Sequence, residues 1–315
     1  MEQRYVGRSG LSVSRLGLGT MTWGRDTDAD DAAAQLGMFL DAGGTLVDTA
    51  DVYTGGDAER VLGRLLRDQV PRSELVISTK AVVTPMGRRP RDASRRHLIA
   101  AVDESLGRLG VDYVDLWQLH TYDPEVPLDE TLAALDAIVS SGRALYAGVC
   151  DYAGWQLAAA AVTQRSVPGR APITSVQTEY SLLARDAERE VLPAACHLGV
   201  GVLAWSPLGR GVLTGKYRTG IPTDSRAATP HFADFVRPYL DDRSRSVVES
   251  VVTAADGLGV SPAAVALTWV RDQPGVASAI VGARTLAQLK GTLLAEDLVL
   301  PIEIREALDD VSSPE

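Results

Sequence analysis

Four residues in the first half of the chain carry side chains that together could place a proton on a carbonyl oxygen: Asp48, Tyr53, Lys80 and His120. A free phenol, with a pKa near 10, is a poor acid at neutral pH. A nearby ammonium favours the phenolate and lowers that value. A carboxylate beside the lysine holds it charged and in place, and an imidazole can orient a carbonyl through one ring nitrogen. Any one of these residues alone reads as structural. The four together suit general acid catalysis matched to a hydride donor.

Each of the four lies at or just beyond a short apolar run. Eight such runs read as strands: Leu16–Leu18, Leu46–Asp48, Leu75–Thr79, Tyr113–Leu119, Leu145–Val149, Ser175–Gln177, Val200–Ala204 and Ala279–Val281. Amphipathic stretches between and after them predict helices over Ala29–Asp41, Asp57–Arg67, Ser94–Arg108, Leu128–Ser141, Ala153–Val162, Glu188–His197, Pro262–Arg271, Leu286–Leu294 and Ile302–Asp310. Strands alternating with helices imply parallel pairing, because parallel strands need long crossovers. Eight units predict a closed (β/α)8 TIM barrel, a single domain over residues 1–315. Gly17-Leu-Gly19-Thr20 is only a fragment of the glycine-rich turn that an open dinucleotide-binding sheet would carry. Arg4–Val6 and Leu11–Val13 predict an N-terminal hairpin cap that could plug the lower mouth. Ser206 to about Asp242 has little periodicity, and a loop of that length is usually functional.

A 45% hydrophobic, 23% charged composition excludes a disordered or fibrous chain. The net charge of −10 argues against nucleic-acid binding, which needs a basic surface. No stretch of about 18 uncharged apolar residues supports a membrane span. The N-terminus shows no apolar signal region. Cys150 and Cys196 do not form a metal or disulfide pattern, so a cytoplasmic location and no metal are expected. Cys196 reads as a small buried hydrophobe.

Active sites of such barrels form at the carboxyl ends of the strands. Gly44-Thr-Leu-Val-Asp48-Thr-Ala-Asp-Val-Tyr53 resembles the aldo-keto reductase signature, Ile77-Ser-Thr-Lys80 its lysine motif and Asp115-Leu-Trp-Gln-Leu-His120 its histidine strand. Ser175-Val-Gln177, Ala204-Trp205-Ser206-Pro207-Leu208-Gly209 and Ile280-Val-Gly282-Ala-Arg284 with Gln288 resemble the family's cofactor segments. The resemblance runs from about residue 4 to 300, in the branch with a long loop after the seventh strand.

It implies an NADP(H)-dependent reductase of an aldehyde or ketone. Tyr53 would donate the proton, Asp48 and Lys80 would tune it, and His120 would steer the carbonyl. Trp205 would stack on the nicotinamide and Gln177 would hold its amide. Thr20, Met21, Cys150, Asp151, Ser206, Pro207, Leu208, Gly209 and Gly211 would complete the nicotinamide and pyrophosphate sites. Lys216 and Arg226 would clamp phosphates, and Gly282, Arg284, Gln288 and Thr292 would hold the adenosine end. Trp23 and Trp117 are expected to line the substrate pocket. A forked, permanently charged Arg284 suits a 2′-phosphate.

Two residue pairs depart from the pattern. Cys150-Asp151 stands where the family usually has Ser-Asn, which weakens the donors to a carboxamide, because an ionised Asp only accepts. Gly291-Thr292 stands where the family often has Glu-Asn, so adenine contacts should be poorer. Two other functions stay open: a non-catalytic cofactor-sensing subunit, as in the potassium-channel β-subunits of this branch, and a pathway-specific reductase of keto-sugars or pyridoxal. The channel subunits carry a different residue where this chain has His120. The residues fix neither the substrate nor an oligomeric state.

Overall fold

In the computed structural model, which describes residues 1–314, the chain begins with an antiparallel hairpin of β1 (Gln3–Tyr5) and β2 (Ser12–Ser14). Eight strands follow: β3 (Leu16–Gly19), β4 (Leu46–Asp48), β5 (Val76–Ala81), β6 (Val114–Leu119), β7 (Ala144–Cys150), β8 (Ile173–Glu179), β9 (Gly201–Trp205) and β10 (Val276–Val281). Each pairs in parallel with the next and β10 closes on β3, which makes the expected eight-stranded barrel. Helices α1 (Ala29–Asp41), α2 (Asp57–Asp68), α3 (Arg95–Leu109), α4 (Leu128–Ser140), α5 (Gly154–Ser166) and α6 (Val191–Leu198) connect β3 to β9. The short α7 (Ala233–Val236), α8 (Asp242–Leu258) and α9 (Pro262–Arg271) lead to β10. After it come α10 (Leu286–Leu293) and α11 (Ile302–Ser312).

Side-chain caps set the helix starts. Asp28, Ser94, Asp241, Ser261 and Thr285 each accept a hydrogen bond from the third residue beyond them, and Gly110 and Gly259 end α3 and α8 in the left-handed region. Helix α8 lies in a stretch for which the sequence reading named no element. Its buried face is Val247, Val248, Val251, Val252 and Ala255, spaced one and four apart.

The core has two parts. The larger lies between the strands and the helix ring and includes Leu18, Leu36, Phe39, Leu62, Leu98, Trp117, Leu135 and Trp269. The smaller fills the amino-terminal end of the barrel, where Val6, Leu11 and Val13 of the hairpin segment meet Leu46, Leu116, Leu203 and Ala277. The hairpin therefore closes that mouth. Its seat is tight: a Cβ on Gly201 would lie 2.5 Å from the Gly7 nitrogen and 2.6 Å from Val6 Cγ1. Strand alternation puts Leu46 and Asp48, Leu116 and Gln118, and Ser175 and Gln177 inside. The interior is thus apolar below and polar above. No single helix among the described residues is long and apolar enough to cross a membrane.

Because backbone cannot yield as a side-chain tip does, Gly201→Ala should displace the hairpin and cost about 1–3 kcal/mol. Chemical denaturation would read this as a lower midpoint at unchanged slope.

Candidate active site

The strands bring all four residues picked from the sequence to the carboxyl end. Asp48 closes β4, Lys80 lies one residue before the end of β5, and His120 follows β6. Tyr53 opens a single turn of 3-10 helix, Tyr53–Gly56, ahead of α2. Lys80 is fully buried, and its Nζ donates to Asp48 Oδ2 at 2.6 Å and to the Thr49 carbonyl at 2.7 Å. The other Asp48 oxygen, Oδ1, accepts from Ser78 Oγ at 3.0 Å and Gln177 Nε2 at 2.9 Å. Gln118 donates to Ser78 Oγ at 2.9 Å and accepts from Ser175 Oγ at 3.3 Å. Burial works against the Lys80 charge, yet Asp48 and Tyr53 hold its pKa above the ordinary lysine value.

The Lys80 ammonium stands 5.1 Å from the centroid of the Tyr53 ring. Desolvation pushes the phenol up to about 12 and outweighs the downward pull of Lys80. The sequence reading expected the opposite net direction. It weighed the ammonium but not the low-dielectric walls. The phenol therefore keeps its proton at neutral pH. His120 meets Tyr53 edge-on, with ring centroids 5.9 Å apart. Burial and Lys80 lower its pKa to about 3, so the ring is neutral, and its buried Nδ1 has no hydrogen-bond partner.

Tyr53 and His120 line a cavity of about 530 Å³. Of the expected cofactor residues, Met21, Cys150, Asp151, Gln177, Trp205, Ser206, Pro207, Leu208, Gly211, Lys216, Arg226, Gly282, Arg284, Gln288 and Thr292 line it too. Thr20 and Gly209 do not. Thr20 is buried and its hydroxyl donates to the Asp48 carbonyl, while Gly209 packs against Leu183.

The two tryptophans expected in the substrate pocket are also elsewhere, and both are fully buried. Gln118 points into the barrel, so its neighbour Trp117 must point outward to the helices. Trp23 donates from Nε1 to Gln35 of α1 at 3.3 Å. Its carbonyl accepts from Thr54 Oγ1 at 2.8 Å, which fixes the turn that carries Tyr53. Cys196 is exposed, because α6 buries Val191, Ala195 and Leu198 instead.

The far end of the cavity gathers three cations. Burial and its neighbours Arg226 and Arg284 lower the Lys216 pKa; burial and Arg284 lower that of Arg226. Arg284 donates to the Asp224 carbonyl, and its own N–H donates to Gln288 Oε1 at 2.9 Å. Between the two ends, Trp205 stacks near-parallel to Phe235, with centroids 6.4 Å apart. The Arg210 guanidinium lies 4.0 Å from the Phe235 centroid and forms a fork with Glu179 at 2.8 and 2.6 Å. Arg210 and Phe235 line the cavity but were not picked from the sequence, since the hydrogen bonds that tie Arg210 to Glu179 and to Phe235 span 31 and 25 residues. Asp151, Ser206 and Arg210 hold left-handed backbone (φ 51°, 49° and 58°), a conformation uncommon for non-glycine residues and frequent at functional sites.

An "Aldo/keto reductase family" model matches residues 15–313. The chain belongs to the aldo/keto reductase family. Its relatives match end to end. An uncharacterized oxidoreductase, YrpG, of Bacillus subtilis is 37% identical over 328 residues, covering 99% of this aldo/keto reductase and 96% of the relative. A probable voltage-gated potassium channel subunit beta of Oryza sativa is 36% identical over 317 residues, covering 99% and 96%. A putative subunit of the same kind from Schizosaccharomyces pombe is 32% identical over 318 residues, covering 98% and 92%. Family membership makes this chain an oxidoreductase of carbonyl compounds.

One buried carboxyl beside the site, that of Asp51, does not line the cavity. Asp51 Oδ1 is buried without a partner, and Glu59, held by Thr79 and Arg108 at 2.6 Å each, lies close enough to act on it. Burial and Glu59 raise the Asp51 carboxyl to about 7. A folded-state pKa above the unfolded one gives stability below the unfolded value that is lost as pH rises through about 7. A neutral side chain escapes that loss. Asp51→Asn should therefore gain thermal stability over the parent between pH 5 and pH 8, as paired melting curves would show.

Proposed function

We propose that this aldo/keto reductase reduces an aldehyde or ketone to an alcohol with NADPH, and that Tyr53 is the proton donor. The observation that carries the proposal is one cavity with a protonated phenol and a neutral imidazole at one end and three clustered cations at the other. Three like charges held together repel one another unless an anion sits among them, and a dinucleotide phosphate is such an anion. The residues therefore fit the cofactor: Lys216, Arg226 and Arg284 would hold its phosphates, with Gln288 bracing Arg284. Trp205, Gln177 and Asp151 would face its nicotinamide. Thr292, whose hydroxyl is spent on the Leu289 carbonyl at 2.8 Å, would offer adenine only a packing surface.

Bound there, the nicotinamide supplies the hydride. The rest is done by this chain. Tyr53 donates its proton to the carbonyl oxygen as negative charge builds on that atom. Lys80, kept cationic by Asp48, stabilises the phenolate that results. His120, neutral throughout the physiological range, can donate one N–H to the same oxygen and fix the face of the carbonyl that is presented.

A second reading rests on names: the rice and fission-yeast relatives are called potassium channel subunits. On that reading the chain would bind cofactor and a protein partner without significant turnover. Following NADPH absorbance with 4-nitrobenzaldehyde separates the two. Turnover supports the reductase, and cofactor binding without turnover supports the sensor.

Tyr53→Phe should lower kcat by about 10²–10⁴-fold, the usual worth of a positioned acid, with cofactor affinity unchanged. An undiminished rate would remove Tyr53 from the mechanism. Arg284→Ala should weaken NADPH binding by roughly 10- to 100-fold, the worth of a charged hydrogen bond, and leave NADH binding nearly unmoved. Equal losses for both cofactors would argue against a 2′-phosphate contact.

A further inference from the structure

We propose that Asp151 makes the site discriminate between the two redox forms of its cofactor, holding the oxidised, cationic nicotinamide more tightly than the reduced, neutral one. The inference rests on the NADP(H) reading of the cavity given above.

The charge balance at the reactive end carries the argument. Asp48 is paired with Lys80 at 2.6 Å, and Glu179 is paired with Arg210 at 2.6 Å. Each pair is close to neutral seen from the cavity. Tyr53 holds its proton and His120 carries none in excess. Burial keeps Cys150 a thiol. Asp151 is left. Among the described residues no cation forms an ion pair with it; its Oδ1 accepts a neutral hydrogen bond from Trp205 Nε1 at 2.8 Å. Its side chain is open to the cavity, although the surrounding walls raise its pKa. The cavity therefore carries one unpaired negative charge at the phenol end and three positive charges at the other. A ligand with phosphates at one end and a pyridinium at the other matches both, and reduction of that ring removes half the match.

Asp151 is also held in place. Its N–H donates to the Gln177 carbonyl at 2.9 Å, which continues the strand ladder, and the indole bond fixes the carboxylate. A charge so placed acts without reorganising. At any separation up to about 10 Å and an effective dielectric constant of about 20, a unit charge pair changes an equilibrium by roughly tenfold or more. By linkage the same factor applies to the bound redox couple. Tighter binding of the oxidised form lowers its midpoint potential, by about 30 mV for tenfold, and makes the bound cofactor a stronger reductant.

The test is equilibrium binding rather than turnover. Dissociation constants for NADP⁺ (calorimetry) and NADPH (fluorescence) would be measured for the parent, Asp151→Asn and Arg284→Ala. Asparagine keeps the shape and the acceptor oxygen and tolerates left-handed backbone at least as well. Asp151→Asn should raise the ratio of the NADP⁺ to the NADPH dissociation constant about tenfold or more. Arg284→Ala, which acts on phosphates that both forms carry, should weaken both and move the ratio less than threefold. An unchanged ratio in Asp151→Asn, or an equal shift in both variants, overturns the inference and leaves the cofactor reading standing. If the parent binds neither form, the cofactor reading fails and takes the inference with it.

Discussion

The site depends on a single buried ion pair. Lys80 carries its charge in the barrel interior only because Asp48 meets it at 2.6 Å and the Thr49 carbonyl at 2.7 Å. An isolated ammonium there would give up its proton, and removing one partner of such a pair typically costs about 3–5 kcal/mol. Asp48 in turn is satisfied by Ser78 and Gln177, which rise from different strands. One carboxylate thus ties β4, β5 and β8 together at the height where the phenol stands. The interior must be polar at that level and small where Gly148 faces the Ser175 hydroxyl. Below it, the interior can be apolar.

Around that pair the barrel separates charge by distance. The reactive end is nearly neutral apart from Asp151, and the three basic side chains lie on the excursion after β9 and beyond β10. The excursion is pinned where it starts: Arg210 forks onto Glu179 of β8 and donates to the Phe235 carbonyl at 2.6 Å. Two chemically different tasks are therefore built on different parts of the chain, one on rigid strand ends and the other on a tethered loop.

The parts legible in the sequence were those set by local spacing. All eight barrel strands, their order and the four converging side chains follow from short apolar runs and the residue that ends each. The hairpin strands lie one residue farther from the turn than expected, with the pairing register unchanged, since alternation alone does not fix where a strand starts. Trp117 could have been placed correctly: it alternates with Gln118 and His120, so it cannot share their cavity. Helix α8 is rich in valine, a poor helix former, and opens with a run of charged and small polar residues, so its sequence carries no clear helical signal. Asp241 as a start and Gly259 as a stop were the signals that could have found it. Arg210 and Phe235 were out of reach, because the contacts that tie them to Glu179 and to each other span 25 to 31 residues. The direction of the Tyr53 shift was missed for a related reason. Burial depends on everything around a group, and residue types alone do not report it.

The seat of the hairpin on Gly201 has an electrical consequence. A barrel open at both ends would let water dilute the Lys80–Asp48 dipole from either side. With the amino end sealed by Val6, Leu11 and Val13, solvent reaches that dipole from one direction only. Its field is focused along the barrel axis toward the mouth, where the phenol stands. Three residues of a short ribbon, far from any reacting atom, thereby act as the insulator behind the electrode.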